Sequence, residues 1–274
     1  MSSESIIGTR NLSKSFGSVQ AVQDVTLDVA EGEVHALVGD NGAGKSTVIK
    51  MLCGVLEPSS GEILLRGEQT TFGNYNEARQ AGIETVYQDL ALAKAQTVAA
   101  NVFLGHEAVR DDILGRLFGF VDEDYMIEEA SKALDRVNIP IDPEAKVRNL
   151  SGGQQQAVAI ARALQSDPDI LIMDEPTSAL SIEGVRNVLR VVNNLREQGI
   201  TIVLISHNIR QVIATADRIS VLAQGRLMGT RDAGETDREE IVSMMMGVED
   251  TEEELEFVPG ESTGDEATAG EEVA

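Results

Sequence analysis

Val25, Leu27 and Val29 alternate with polar neighbours, the two-residue period of a strand with one buried face. Residues 34–38 form a short apolar strand that runs straight into Gly39-Asp40-Asn41-Gly42-Ala43-Gly44-Lys45-Ser46-Thr47. Residues 47–56 then read as a helix, ended by Pro58 and followed by the turn Ser59-Ser60-Gly61. Residues 63–65 and 83–87 read as strands, and from about 89 to 166 the pattern becomes helical. Within 122–137, Met126, Ile127, Ala130, Ala133, Leu134 and Val137 recur near a 3.6-residue period. Strand signals resume at 170–173, 200–205 and 218–222, separated by helical runs at 182–198 and 209–216, with a last helix at 237–246. Strands alternating with helices predict a mostly parallel sheet covered on both faces. No internal repeat is visible.

Composition narrows this picture. A chain of 274 residues with 42% hydrophobic content can bury about three quarters of its unfolded surface. The length suits one α/β domain with an insertion, or two small domains. No apolar run approaches the roughly 18 residues of a membrane span, and the N-terminus lacks the basic and apolar regions of a signal peptide. The expected location is therefore the cytoplasm, with any membrane role exercised through a partner. Cys53 is the single cysteine, which excludes an intrachain disulfide or a cysteine zinc site. Its place in the apolar stretch 48–56 marks it as a small core residue. The net charge of −24 argues against nucleic acid as a partner, because affinity there comes mainly from cations facing phosphates. Residues 249–274 hold eleven acids and no Lys or Arg, yet the remainder still carries −13. With six lysines against sixteen arginines, this balance resembles proteins of salt-loaded cytoplasms, where carboxylates keep the surface solvated. The segment after Val248 has too little apolar content to fold alone.

Three segments carry chemistry. Gly39 to Ser46 fits G-x-x-x-x-G-K-[ST] between a predicted strand and a predicted helix, the context of a phosphate loop. Glycines let backbone N–H groups turn inward, and the helix N-terminus adds positive potential. Lys45 is placed to reach the β- and γ-phosphates of a nucleoside triphosphate and Ser46 to ligate Mg²⁺; Gly39, Asp40, Asn41, Gly42, Ala43, Gly44 and Thr47 complete the cradle. Ile170-Leu171-Ile172-Met173-Asp174-Glu175 puts two carboxylates at the C-terminal edge of an apolar strand, where ligands sit in open α/β sheets. Asp174 is placed to hold Mg²⁺ and Glu175 to act as general base on an attacking water, a role worth about 10²–10⁴-fold in rate. Leu150-Ser151-Gly152-Gly153-Gln154 opens a helix with glycines and a serine that can face a second phosphate. Two half-sites on one chain point to a complete site formed between two chains.

With these motifs in order, the chain resembles the ATP-binding cassette (ABC) family over about residues 6–230. The resemblance implies an α/β fold: a P-loop NTPase cassette with a RecA-like, mostly parallel sheet core, an N-terminal antiparallel β part, and a helical subdomain inserted at about 89–166. Residues 1–248 would form the ATPase domain and 249–274 an acidic, disordered tail. It implies ATP and Mg²⁺ as cofactors, and a head-to-tail dimer in which Ser151 and Gly153 contact the γ-phosphate held by the other protomer's Lys45 loop, with Gly152 and Gln154 beside them in the nucleotide-binding set. Gln88 resembles the family's Q-loop glutamine, sensing the γ-phosphate and Mg²⁺; His207 resembles the switch histidine; Phe16, in Lys14-Ser15-Phe16-Gly17, matches the aromatic that stacks on adenine. Stacking of this kind is worth about 1–3 kcal/mol on single-stranded bases. His35 and His106 match no motif and read as surface or satisfied core residues. Two positions depart from the family pattern: Ser181 where the D-loop usually has Asp, and Asn208 after the switch histidine where Asp is common. Neither touches Lys45, Asp174 or Glu175, so hydrolysis is expected.

The stretch 77–92, with Thr97-Val98-Ala99-Ala100-Asn101-Val102-Phe103-Leu104-Gly105, resembles ATPases of monosaccharide importers such as those for ribose, xylose and fructose. That implies a homodimer of cassettes, or a heterodimer with a related ATPase, joined to two membrane-spanning permease subunits and an extracellular sugar-binding protein, at the cytoplasmic face of the membrane. A permease helix would dock between the core and the insertion, near Gln88. Another ABC transporter is the nearer rival. Soluble translation-factor or repair ATPases fit poorly: a second cassette and basic linker are missing, and only about 105 residues separate Lys45 from Leu150.

Overall fold

The computed structural model describes residues 5–111 and 120–247; the acidic segment 249–274 lies outside the described residues. Two sheets carry the fold. The first is antiparallel, in the order β2 (Val19–Val25), β1 (Ser5–Phe16), β5 (Ser60–Leu65), β6 (Glu68–Thr70), with β3 (Asp28–Ala30) also paired to β1. The second has six strands in the order β11 (Arg226–Asp232), β10 (Arg218–Ala223), β4 (Val34–Val38), β9 (Thr201–Ile205), β8 (Ile170–Asp174), β7 (Ile83–Val86). All of its neighbours are parallel except the edge pair β10–β11. The central strands β4 and β9 are buried along their whole length, as strands covered on both faces must be.

The described helices are α1 (Lys45–Leu52), α2 (Tyr75–Gln80), α3 (Val98–Val102), α4 (Glu123–Arg136), α5 (Gly152–Ala163), α6 (Ile182–Glu197), α7 (Ile209–Ile213) and α8 (Arg238–Met245). Helices α3, α4, α5 and α6 bury their apolar faces in one cluster with Leu171, Met173, Ile202 and Leu204 of the sheet. The opposite face of the same strands, through Ile170, Ile172, Val203 and Ile205, packs on α1 and the antiparallel sheet. A third cluster joins α7 and α8 to β10 and β4. No described helix is long and apolar enough to cross a membrane.

Three expectations need correction. The alternation at Val25, Leu27 and Val29 falls on two strands, not one. Thr9, buried in β1, explains the break: its Oγ1 donates to the Val25 carbonyl at 2.8 Å and accepts from the Leu27 N–H at 3.0 Å, replacing ladder bonds with side-chain bonds. Helix α1 begins at Lys45 and stops at Leu52, four residues short of the apolar pattern. Gly54 at φ 70° turns the chain, and the Val55 and Leu56 N–H groups both return to the Lys50 carbonyl. Leu56 still packs on the core without being helical, which is why the period misleads. Finally, residues 89–97 and 103–111 contain no helix; α4, by contrast, matches its periodic pattern within one residue at each end. Strands β1, β6 and β11 and helix α2 had no expectation. Register shifts in β1 break its alternation.

His35 and Cys53 sit in the core as read. Cys53 Sγ donates to the Ile49 carbonyl at 2.9 Å. His35 is fully buried on β4, with Nδ1 2.8 Å from Glu33 Oε1 and Nε2 2.8 Å from Ser220 Oγ. Burial pushes the Glu33 carboxyl pKa up, but the His35 ring, the Ala30 N–H and Arg218 more than reverse this, leaving it below its ordinary value. A carboxyl whose folded pKa is depressed stabilises the fold above its unfolded pKa, and the contribution fades as pH falls through the folded value. Glu33→Gln is therefore expected to cost about 1–3 kcal/mol at pH 7, measured by urea unfolding, with the gap from wild type narrowing below pH 4.5; a gap that widens in acid refutes the assignment.

Candidate functional site

Strand β4 ends at Val38 and α1 begins at Lys45, so the intervening loop lies at the C-terminal edge of the parallel sheet. Backbone geometry selects its glycines. A Cβ on Gly39 (φ 157°) would lie 2.2 Å from the Leu222 carbonyl oxygen, and one on Gly44 (φ 103°) 2.6 Å from that of Ala21. Asn41, Gly42, Gly44, Lys45, Ser46 and Thr47 of the loop line a cleft of about 240 Å³, together with Ala21, Gln88, Asp174 and Glu175. Residues from the phosphate loop, the strand-edge acids and the loop after β7 thus converge on one cavity. Ala21, on β2, is a lining residue without any motif to announce it.

Lys45 is buried in this cleft, and its Nζ donates to the carbonyls of Gly39 at 2.7 Å and Asp40 at 3.0 Å. Burial pulls its pKa down against the opposing pull of Glu175, Asp174 and Asp40, and the net shift is downward. Asp174 moves the other way: burial and then Glu175 raise its pKa, only partly offset by Lys45 and Lys50. Two carboxylates beside one ammonium favour additional positive charge. Among the described residues no group of three or more His, Cys, Asp or Glu side chains can hold a metal ion. The hard oxygen donors present, the Ser46 hydroxyl, the Asp174 carboxylate and the Gln88 amide, fit a Mg²⁺ that completes its shell with phosphate oxygens and water.

Glu175 follows β8 with φ 50°, a left-handed conformation that non-glycine residues rarely adopt. Its carboxylate meets His207 Nδ1, with Oε1 at 2.8 Å and Oε2 at 2.7 Å. His207 stands after β9, and Asn208 behind it caps α7 by accepting the Gln211 N–H. A cap needs a side-chain oxygen but no charge, so Asn in place of Asp preserves it. Thr177 Oγ1 donates to Gln211 Oε1 at 2.7 Å, tying the turn after Glu175 to the helix after His207. Neither Thr177 nor Gln211 was expected at the site.

Leu150-Ser151-Gly152-Gly153-Gln154 does not line the cleft. It opens α5 with a capping box: Ser151 Oγ accepts the Gln154 N–H at 3.3 Å, and Gln154 Oε1 accepts the Ser151 N–H at 3.0 Å. The Ser151 hydroxyl proton stays free to donate, and the first-turn N–H groups have no intrahelical acceptor. Gly153 is buried against the start of α6, where its Cβ would lie 2.9 Å from Gly184 Cα. Ser181 caps α6 by accepting the Gly184 N–H at 3.2 Å, so its hydroxyl does locally what a carboxylate would do. Phe16 is 49% exposed and carries the Lys14 ammonium 5.5 Å from its ring centre; it does not line the cleft either. His106 is exposed and contacts Arg79.

Arg162, near the C-terminal end of α5, was not expected. Its two terminal nitrogens donate to the carbonyls of Leu90 at 2.7 Å and Ala91 at 3.3 Å, just beyond Gln88. The buried Gly153–Gly184 contact gives a direct test. Gly153→Ala is expected to lower stability by about 1–3 kcal/mol through overpacking, seen as a lower urea midpoint; an unchanged midpoint would show that the α5–α6 contact yields freely.

The sequence pattern described as ABC transporter matches residues 22–178. A xylose/arabinose import ATP-binding protein of Sulfolobus acidocaldarius is 44% identical over 241 residues, covering 88% of this chain and 93% of the relative. A xylose import ATP-binding protein of Geobacillus kaustophilus is 40% identical over 246 residues, which is 89% of this chain but only 47% of that protein; the chain spans about half its length. The ADP conformation of an ATP-binding cassette from an ABC transporter superposes with a TM-score of 0.75 at 29% identity, covering 88% of this chain and 95% of that one. A dimeric, post-hydrolysis cassette bound to ADP and Pi superposes at 0.67 with 27% identity, covering 83% and 98%. With its phosphate loop, strand-edge acids and capped signature helix in the geometry described, the chain belongs to the ABC transporter family.

Proposed function

We propose that this chain is the ATP-hydrolysing subunit of an importer of monosaccharides, acting as a dimer of cassettes. The observation that carries hydrolysis is the Glu175–His207 pair, held at 2.7–2.8 Å with Glu175 in the same cleft as Lys45 and Asp174. Lys45 and the loop amides hold the triphosphate. Ser46, Asp174 and Gln88 are the groups that would hold Mg²⁺, which when bound polarises the β- and γ-phosphate oxygens. Glu175 accepts the proton of the attacking water, and His207 orients its carboxylate and contacts the γ-phosphate. Phe16 stacks on adenine.

A signature segment outside the cleft, with a free Ser151 hydroxyl proton and open helix N–H groups, fits a γ-phosphate presented by a second cassette. The dimeric relative supports that arrangement. ATP then closes the dimer because both chains hold it, and hydrolysis removes the shared bonds, a population shift driven by differential affinity. The second chain is a copy of this one or a related ATPase. We read residues 1–248 as one ATPase domain with a helical subdomain at about 89–166. Two permease subunits and an extracellular sugar-binding protein complete the importer, in keeping with the import roles of the relatives, and place this chain at the cytoplasmic face of the membrane. The permease contact falls on a cavity of about 300 Å³ between α2, β7 and α5, lined by Tyr75, Arg79, Tyr87, Ala91 and Arg162 among others.

Glu175→Gln is expected to keep ATP binding, lower kcat by about 10²–10⁴-fold and accumulate an ATP-bound dimer on size-exclusion chromatography. A variant that hydrolyses normally removes Glu175 as the base. For the cargo, ATPase activity of the chain reconstituted with its permease and binding protein is measured with pentoses and hexoses; stimulation by none of them assigns another substrate.

A further inference from the structure

A second pocket has a different character. His207, Asn208, Ile209, Arg210 and Arg238 enclose about 260 Å³. Arg210 belongs to α7 and Arg238 opens α8, and the two helices share one apolar cluster. The chain has 46 Asp and Glu against 22 Lys and Arg, and six guanidiniums, those of Arg66, Arg79, Arg136, Arg196, Arg218 and Arg231, each pair with a carboxylate. Among the described residues Arg210 and Arg238 have no side-chain hydrogen bond or ion pair. Two acids beside Arg238 are engaged. Asp237 caps α8 through the Glu239 and Glu240 N–H groups, and Glu240 binds Arg231 and Thr236. Two unpaired guanidiniums around one concavity, on so acidic a chain, form a carboxylate receptor, because their planar forks match carboxylate geometry.

We propose that this pocket binds carboxylates and that its ligand is the chain's own acidic segment 248–274. Connectivity favours that occupant. The segment follows Gly247 directly, and Arg238 is nine residues earlier, about 14 Å along a helical rise. Five extended residues span about 17 Å, so the acids from Glu252 to Glu256 reach the pocket. Tethering raises the local concentration to the millimolar range, which lets individually weak exposed pairs suffice. The rest of the molecule, at −13, repels the segment elsewhere. Its bound carboxylates lie beside the His207 ring, on the residue that holds Glu175.

The test uses the full chain. Cys53 is buried, so a nitroxide attached at Thr251→Cys reports on the segment without removing an acid. In low-salt buffer its electron paramagnetic resonance spectrum is expected to show a slow component. That component should vanish in Arg210→Gln/Arg238→Gln, and in wild type at about 1 M KCl, where the Debye length falls to about 3 Å. Arg186→Gln/Arg190→Gln, on the exposed face of α6, removes the same charge elsewhere and should leave it in place. A spectrum equally mobile in all chains, or released as fully by the α6 pair, overturns the proposal. Unchanged thermal melting of both double variants checks that each is folded.

Discussion

The structure depends on how closely three backbones approach at the phosphate loop. The Leu222 carbonyl of β10 leaves no room for a side chain at Gly39, and the Ala21 carbonyl of β2 leaves none at Gly44 or Gly225. The same place is laced by hydrogen bonds: Gln23 N–H to the Gly225 carbonyl at 2.7 Å, and Gly225 N–H to the Ala43 carbonyl at 3.0 Å. The antiparallel sheet, the β10–β11 turn and the loop are thereby held as one unit. Because the two sheets meet at the loop, the binding cleft is also the joint of the fold. Preorganised backbone donors of this kind avoid reorganisation when charge arrives.

Charge in the cleft follows from that rigidity. Lys45 cannot retreat to water, so its ammonium rests on the Gly39 and Asp40 carbonyls. Burial, and then the Glu175 carboxylate beside it, raise the Asp174 pKa. A bound cation with its phosphates relieves both strains at once. The left-handed backbone at Glu175 has the same logic: it turns the carboxylate from the strand toward His207, at a cost typical of strained functional residues, about 1–3 kcal/mol.

Much of this was legible in residue order. The strand at 34–38, the carboxylates after 170–173 and the helices at 122–137 and 182–198 appear within a residue or two of their expected places, because each combines a clear period with a cap or breaker. The convergence of Lys45, Ser46, Asp174 and Glu175 was legible as well, since each motif sits beside an element whose end a parallel sheet brings to one edge, whereas Gln88 was expected only through the family resemblance. Long-range side-chain bonding was not legible. Thr9 splitting a strand, Thr177 meeting Gln211, and Gly153 seated on Gly184 each join residues with no periodic relation. Helix α1 shows the converse failure, an apolar period continuing through residues that pack in the core without being helical.

Arg162 joins the end of α5 to the loop after β7. Helix α5 carries the Ser151 cap at its start and Arg162 near its end, eleven residues later, a rod of about 16 Å at 1.5 Å per residue. The guanidinium at its far end grips two carbonyls just beyond Gln88. Burial lowers the Arg162 pKa, yet guanidinium remains charged at any physiological pH, so the grip persists. Side chains of the α5 interior, among them Ala157, Val158 and Ile160, are fully buried, which fixes the helix against its neighbours. Helix α5 therefore ties the Ser151 cap to the loop that carries Gln88, and to the cavity against which α2 and β7 are packed, through contacts within one chain. One helix, with a polar cap at one end and a half-buried guanidinium at the other, makes that connection.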